Sequence, residues 1–257
     1  MTSSTVPPPE FRVIAVTGIP LVEAGDDVAG QIIDAAAAQG TPLEDGDAIA
    51  VTQRIVSKAE GRVVPLDSFE PSPFARDFAD RMEKDARLVE AVLQESTRVV
   101  RQVGGVLITQ TRHGFICANA GIDGSNVGGL DVISLLPVDP DASCRGIREA
   151  VHERLGVEVA VLMTDTFGRP WREGHTNIAI GVAGFEPMRS YVGLPDMDGR
   201  ELTVTTICVA DELAATSEMV MGKLDAVPAA IIRGFEYARG EGSSAELVRD
   251  REHDLFL

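Results

Sequence analysis

The chain has 257 residues, 44% of them apolar and 25% charged, which suits a soluble globular protein with a substantial core. Its 23 basic and 40 acidic residues leave a net charge of −17. That field repels nucleic acid and anionic membrane, so any anionic substrate must be held by local devices: a metal ion, a few placed cations or backbone N–H groups.

Residues 1–11 lack the basic and apolar regions of a signal peptide and read as a disordered arm ahead of a single module, 12–257. Residues 12–16 alternate as a strand does and run into the turn Thr17-Gly18-Ile19-Pro20. Residues 28–38 have helical spacing, and 47–52 form an apolar strand introduced by Asp45-Gly46. The stretch 71–96 divides into two helices, because the apolar stripe restarts after Glu83-Lys84-Asp85. Strands are expected next at 99–102, 106–111 and 115–118, the last two joined by the hairpin turn Arg112-His113-Gly114. A helix at 143–155 stops before Gly156, and 157–164 is a nearly unbroken apolar run, as expected of a buried strand. Further strands are expected at 178–182, 203–209 and 229–233, with a helix at 211–221 and a capping box, Ser243 with Glu246, opening a short terminal helix. Without regular βαβ alternation the fold class is α+β (mixed α/β), most simply two interleaved subdomains.

No stretch approaches the roughly 20 apolar residues that span a bilayer. Cys117, Cys144 and Cys208 are odd in number and lack C-x-x-C spacing, so they read as free thiols, and cytoplasm is the expected location. No P-loop, dinucleotide fingerprint, H-E-x-x-H or G-x-S-x-G is present, and His113, His152, His175 and His253 are scattered. A nucleotide would therefore need a less common cradle.

Four segments carry chemistry. Gly121-Ile122-Asp123-Gly124-Ser125-Asn126-Val127-Gly128 offers close backbone approach, a hard oxygen ligand and an amide; the competing reading is a polar surface turn. Thr164-Asp165-Thr166-Phe167-Gly168-Arg169-Pro170-Trp171-Arg172 reads as a buried strand exiting into a carboxylate, a hydroxyl and two arginines. That set suits Mg²⁺ and phosphates, or equally a capped turn with surface arginines. In Thr52-Gln53-Arg54-Ile55-Val56-Ser57-Lys58-Ala59-Glu60-Gly61-Arg62, Lys58 is one of three lysines and is either a phosphate clamp or a solvated loop charge. Glu218-Met219-Val220-Met221-Gly222-Lys223-Leu224-Asp225 reads by itself as helix capping, with Met219 and Met221 in the core.

Taken together with Gly18-Ile-Pro-Leu21, Leu136-Pro-Val-Asp-Pro-Asp141, Val209-Ala-Asp-Glu212 and Arg233-Gly234, these segments resemble the coenzyme F420:L-glutamate ligase (γ-glutamyl ligase) family in order and spacing, from about residue 12 to the end. The resemblance implies an amide-forming ligase acting on the coenzyme precursor F420-0 and L-glutamate. It implies GTP as phosphoryl donor, Mg²⁺ or Mn²⁺ at the site with room for a monovalent cation, and an intertwined homodimer. By motif match Asp123, Asp165 and Thr166 would be the metal ligands. Ile19, Pro20, Leu21, Val22, Gln53, Arg54, Lys58, Asn126 and the run Glu218, Met219, Val220, Met221, Gly222, Lys223, Leu224 and Asp225 would line the nucleotide. Arg169 is the candidate catalytic cation, with Arg172 expected to face the acidic acceptor or glutamate. Two positions depart from the pattern: Gln53, where the family often carries a small hydroxyl residue, and Lys223, where some members carry glutamate. The flavin-reductase-like domain of fused bacterial relatives is not among these residues, so the expectation is either a free-standing enzyme or the N-terminal half of a fused one. Two rival readings use the same aspartates, a metal-dependent phosphohydrolase and a non-catalytic nucleotide-binding dimer.

Overall fold

In the computed structural model, which describes residues 8–124 and 131–254, twelve strands and six α-helices alternate irregularly along the chain. The first half holds β1 (Arg12–Val16), α1 (Val28–Ala38), β2 (Ala48–Thr52), α2 (Gln53–Ala59), β3 (Val63–Pro65), α3 (Pro73–Met82), α4 (Ala86–Gln94), β4 (Ser96–Val103), β5 (Val106–Thr111) and β6 (Ile116–Ala118). The second holds β7 (Val132–Ser134), α5 (Pro140–Leu155), β8 (Ala160–Arg169), β9 (Arg172–Ala183), β10 (Met188–Ser190), β11 (Thr206–Cys208), α6 (Val209–Met221) and β12 (Ala229–Arg233).

Five strands make the central sheet in the order β1-β12-β2-β8-β9, antiparallel except for the β2–β8 pair. The period-2 alternation of these strands sorts their side chains onto two faces. Ile49, Val51, Val161, Met163 and Ile231 point to the layer of α1 and α5. On the other face Ala48, Ala50, Ala160 and Ala230 leave room for α6, which packs Leu213, Ala214 and Met221 there. Each fully buried aliphatic side chain stabilises the fold by about 1.5–3 kcal/mol relative to exposure. Helix α5 lies close to β9 because residue 181 is glycine: a Cβ there would stand 2.6 Å from the Pro140 carbonyl oxygen.

The chain leaves this sheet after Thr52 and rejoins it at Ala160, building a smaller body in between. Its β4-β5-β6 sheet and the β3–β7 ribbon pack with α3 and α4 around Phe78, Val92 and Leu107 on one side and Phe69, Ala91 and Ile133 on the other. The fold is α+β. None of the helices in the described residues is long and apolar enough to cross a membrane.

Several local expectations need correction. Residues 53–59, where no regular element is expected, form α2. Helix α5 starts three residues early, because Asp139 caps Ala142 N–H and Pro140 takes the first turn, where its missing N–H costs nothing. Strand β8 does not exit at Thr164 but runs to Arg169, and the reversal falls at Pro170-Trp171, with Trp171 in the left-handed region (φ 56°). The stretch 203–209 is strand only over Thr206–Cys208, since Val209 already begins α6. Met219 is not core: it is 85% exposed, while Met221 is fully buried.

Candidate active site

Strand β2 ends at Thr52, which pairs with Thr164, whereas β8 continues for five more residues. That stagger opens a cavity of about 960 Å³ between the end of the large sheet and the open face of the β4-β5-β6 sheet. One wall is polar. The start of α2 brings Gln53 and Arg54 to it, the chain after β6 brings Asp123, and the β8–β9 hairpin brings Asp165, Thr166, Arg169, His175 and Asn177. The end of α6 adds Gly222 and Lys223.

Two connected sets of contacts organise this wall. On one side of β8, Arg54 forms an ion pair with Asp123. Asp165 stands nearby, and its carboxyl is pushed up from 3.8 to about 7, first by burial and next by the charge of Asp123; Arg54 and Lys223 pull in the opposite direction. Asp165 Oδ1 accepts the Thr166 backbone N–H at 2.8 Å. On the other side, Thr166 Oγ1 donates to Asn177 Oδ1 at 2.8 Å, and Asn177 Nδ2 donates to Glu218 at 2.8 Å. Lys223 closes the ring by donating to Thr166 Oγ1 and pairing with Glu218 at 3.1 Å. It reaches back because Gly222 ends α6 at φ 60°, ψ −172°, a conformation essentially reserved for glycine. Cys117, against the same wall, is held protonated, its thiol pushed up to about 12 by burial and by Asp165.

Among the described residues no three His, Cys, Asp or Glu side chains converge on one point as a complete metal cage. Asp123 and Asp165 nevertheless suit Mg²⁺ or Mn²⁺, which keep waters and phosphate oxygens in their remaining positions, and Thr166 Oγ1 would join them by giving up its Lys223 contact. The raised carboxyl of Asp165 reflects chiefly its burial, with the Asp123 charge a smaller cause and Arg54 and Lys223 acting against it.

The expected site residues divide by location. Gln53, Arg54, Asp123, Asp165, Thr166, Arg169, Gly222 and Lys223 line the cavity. Glu218 touches it through Asn177 and Lys223. Ile19, Pro20, Leu21 and Val22 lie after β1 and do not line it; Val22 is buried and Leu21 is 88% exposed. That loop lies against the far end of α2, where Gly25 N–H bonds to Ala59 C=O at 2.8 Å, and Lys58 sits in the last turn of the same helix. Val220 is partly buried against α6's side of the core, Leu224 is 93% exposed and Asp225 is exposed. Arg172 lies on the hairpin outside the lining. Asn126 lies outside the described residues. Sequence reasoning missed Asn177, His175 and Arg101; a buried asparagine beside the apolar run of β9 was the one available signal.

The model of the F420-0:gamma-glutamyl ligase family matches residues 17–234. The chain belongs to that family. It is 48% identical over 249 residues to a coenzyme F420:L-glutamate ligase of Methanothermobacter thermautotrophicus, covering 96% of this chain and 98% of the relative. Proteins of the same description from Methanopyrus kandleri and Archaeoglobus fulgidus are each 42% identical, covering 96% and 95% of this chain and 98% and 96% of theirs. Membership makes the chain a ligase, and the cavity is its candidate catalytic centre.

Proposed function

We propose that this ligase joins L-glutamate, γ-linked and one or more times, to the terminal carboxylate of F420-0 at the expense of GTP. The observation that carries the reading is the convergence of Asp123, Asp165 and Thr166 with Arg54, Arg169 and Lys223 in one cavity of a chain at −17. Only so local a concentration of cations and metal-ligating oxygens can hold polyphosphate against the average field. A nucleotide seated there with its other end along α2 would meet the loop Ile19 to Val22 and Lys58.

Amide formation from a free carboxylate is uphill in water, so the carboxylate must first be activated. The acceptor carboxylate attacks the γ-phosphorus of GTP, forming an O–P bond as the bond to the β-phosphate oxygen breaks and GDP leaves. The glutamate amine then attacks the acyl carbon of the resulting acyl phosphate, inorganic phosphate departs, and the amine gives up a proton to solvent or a nearby base. Asp123, Asp165 and Thr166 would hold Mg²⁺ or Mn²⁺, which neutralises phosphate charge when bound. Arg169, at the end of β8, supplies further positive charge to the transferring group, and Lys223 restrains Thr166.

Phosphate release from GTP, measured with F420-0 and with or without L-glutamate, tests the reading. Release that requires both, with a glutamylated product by mass spectrometry, is the expected result. Hydrolysis without glutamate would mark a phosphohydrolase, and binding without turnover a nucleotide-binding dimer. We further propose that two copies pair. Val192, Leu194, Met197 and Val204 are 51%, 52%, 105% and 85% exposed on one excursion beyond β10, an apolar surface suited to a second copy. Light scattering gives the stoichiometry.

A further inference from the structure

The wall opposite the phosphate-binding side is the open face of the three-stranded sheet. Arg101 pairs with Ile108 and Ile108 with Ala118, so these three form one row across β4, β5 and β6, and all three line the cavity. Ile116, Val100 and Val103 extend the row into an apolar strip. The opposite face of the sheet carries Leu107 and Thr109, both buried.

Strand β4 is not regular here. Its register with β5 shifts between Val99 and Arg101, a bulge that inserts Val100 without a partner. A bulge breaks the alternation of a strand and re-aims its side chains, and here both Val100 and Arg101 line the cavity. Among the described residues the side chain of Arg101, an exposed residue, has no hydrogen-bond or ion-pair partner, whereas Arg62, Arg87, Arg148 and Arg233 each hold a carboxylate and Arg98, Arg112 and Arg189 hold amide or carbonyl oxygens. A guanidinium without a carboxylate partner, at the edge of an apolar strip lining a cavity, matches a ligand that lays an apolar part on the strip and carries an anionic group beside it.

We infer that Arg101 is a specificity-determining residue that binds an anionic group of the acceptor, while Ile108, Ala118 and Ile116 cover the acceptor's uncharged part. This rests on the ligase reading above. The nucleotide's phosphates are assigned to the other wall, so Arg101 separates acceptor binding from nucleotide binding.

The test is steady-state kinetics of Arg101→Ala with F420-0, GTP and L-glutamate varied in turn. The expected result is a KM for F420-0 raised about tenfold or more, with the KM for GTP and for glutamate within about twofold of the parent. Arg101→Lys should recover part of the loss and Arg101→Glu should deepen it. Because the side chain has no structural partner, the thermal midpoint of each variant should match the parent, so a folding defect would be visible as such. A raised KM for glutamate alone would move Arg101 to the amino-acid site, and a raised KM for GTP alone to the nucleotide; either overturns the inference, as does a parental KM for F420-0. If the parent itself shows no turnover dependent on F420-0 and glutamate, the ligase reading fails first, and the two failures are distinguishable.

Discussion

Asp165→Asn separates two consequences of one buried carboxylate. In the protein without metal or nucleotide, the carboxyl is raised from 3.8 to about 7 by burial and by Asp123. The folded state therefore holds this proton more tightly than the unfolded chain. The group's contribution to stability is complete below about pH 4 and is lost as pH rises through about 7. At about 1.4 kcal/mol per pH unit, the interval sets a ceiling of about 4 kcal/mol on the loss. Solvent reaches part of the side chain, and Arg54 and Lys223 offset part of the charge, so about 2 kcal/mol is the expected size. Asparagine keeps the shape and can still accept the Thr166 N–H, but does not ionise. In EDTA, parent and variant should melt alike near pH 4, and at pH 8 the variant should melt higher by about 5 °C, given about 2–4 °C per kcal/mol for a chain of this size. Turnover that depends on divalent metal should disappear in the same variant. A melting difference that is the same at pH 4 and pH 8 would refute the attribution to burial. Retained turnover with an unchanged Mg²⁺ titration would remove Asp165 from the metal site while leaving the effect of burial on stability intact.

Three further outcomes are expected. Arg169→Ala should slow the maximal rate of ligation about tenfold or more, whereas Arg172→Ala, outside the lining, should leave it within about twofold; single-turnover kinetics with saturating substrates read both. Lys58→Ala should weaken GTP binding by isothermal titration while leaving the ligand-free melting temperature unchanged, and an unaltered affinity would make Lys58 a solvated helix-end charge. Asp141 accepts the Val182 and Ser244 N–H groups and the Ser243 hydroxyl, so Asp141→Ala, which strands two buried donors, should cost about 2–4 kcal/mol in urea unfolding without changing the apparent affinity for GTP.

Much of the fold was legible because its strands and helices carry clean periodicity. β1, β5 and β12 lie where alternation or an apolar run puts them, and α1 where helical spacing does. The break between α3 and α4 is a turn of polar residues in which Glu83 adopts a left-handed conformation (φ 53°). Strands β3, β7 and β10 were not legible, whereas β11 fell within a longer expected strand: three residues give alternation few positions to register, and the pairing of β3 with β7 and of β10 with β11 is decided by partners distant in sequence. α2 was not legible because its seven residues follow a core strand directly and carry no capping side chain.

The site shows a different limit. Its ligand-bearing residues could be found because carboxylates, hydroxyls and glycines gather near strand ends, but their arrangement depends on a length difference that local patterns do not record. The apolar run of β8 ends at Thr164 and gives way to polar residues, which is the pattern of an exit loop. The segment stays extended because β9 supplies an antiparallel partner as far as Arg172, while β2 has already turned into α2. The residues 165–169 thus have β9 on one edge only, and the cavity occupies the other. Arg101 was invisible for a related cause. A single inserted residue in β4 decides which way its side chain faces, and no composition or period distinguishes that strand from a regular one. In a chain at −17 the consequence is chemical: many cations are neutralised by carboxylates, as Arg62, Arg87, Arg148 and Arg233 are, and others such as Arg98, Arg112 and Arg189 hold amide or carbonyl oxygens. Arg101 and Arg169 differ from these in that β-structure holds each of them at the edge of the cavity. Neither touches a carboxylate among the described residues, and that is why the substitutions Arg169→Ala and Arg101→Ala are the ones that test whether the cavity uses them for an anion.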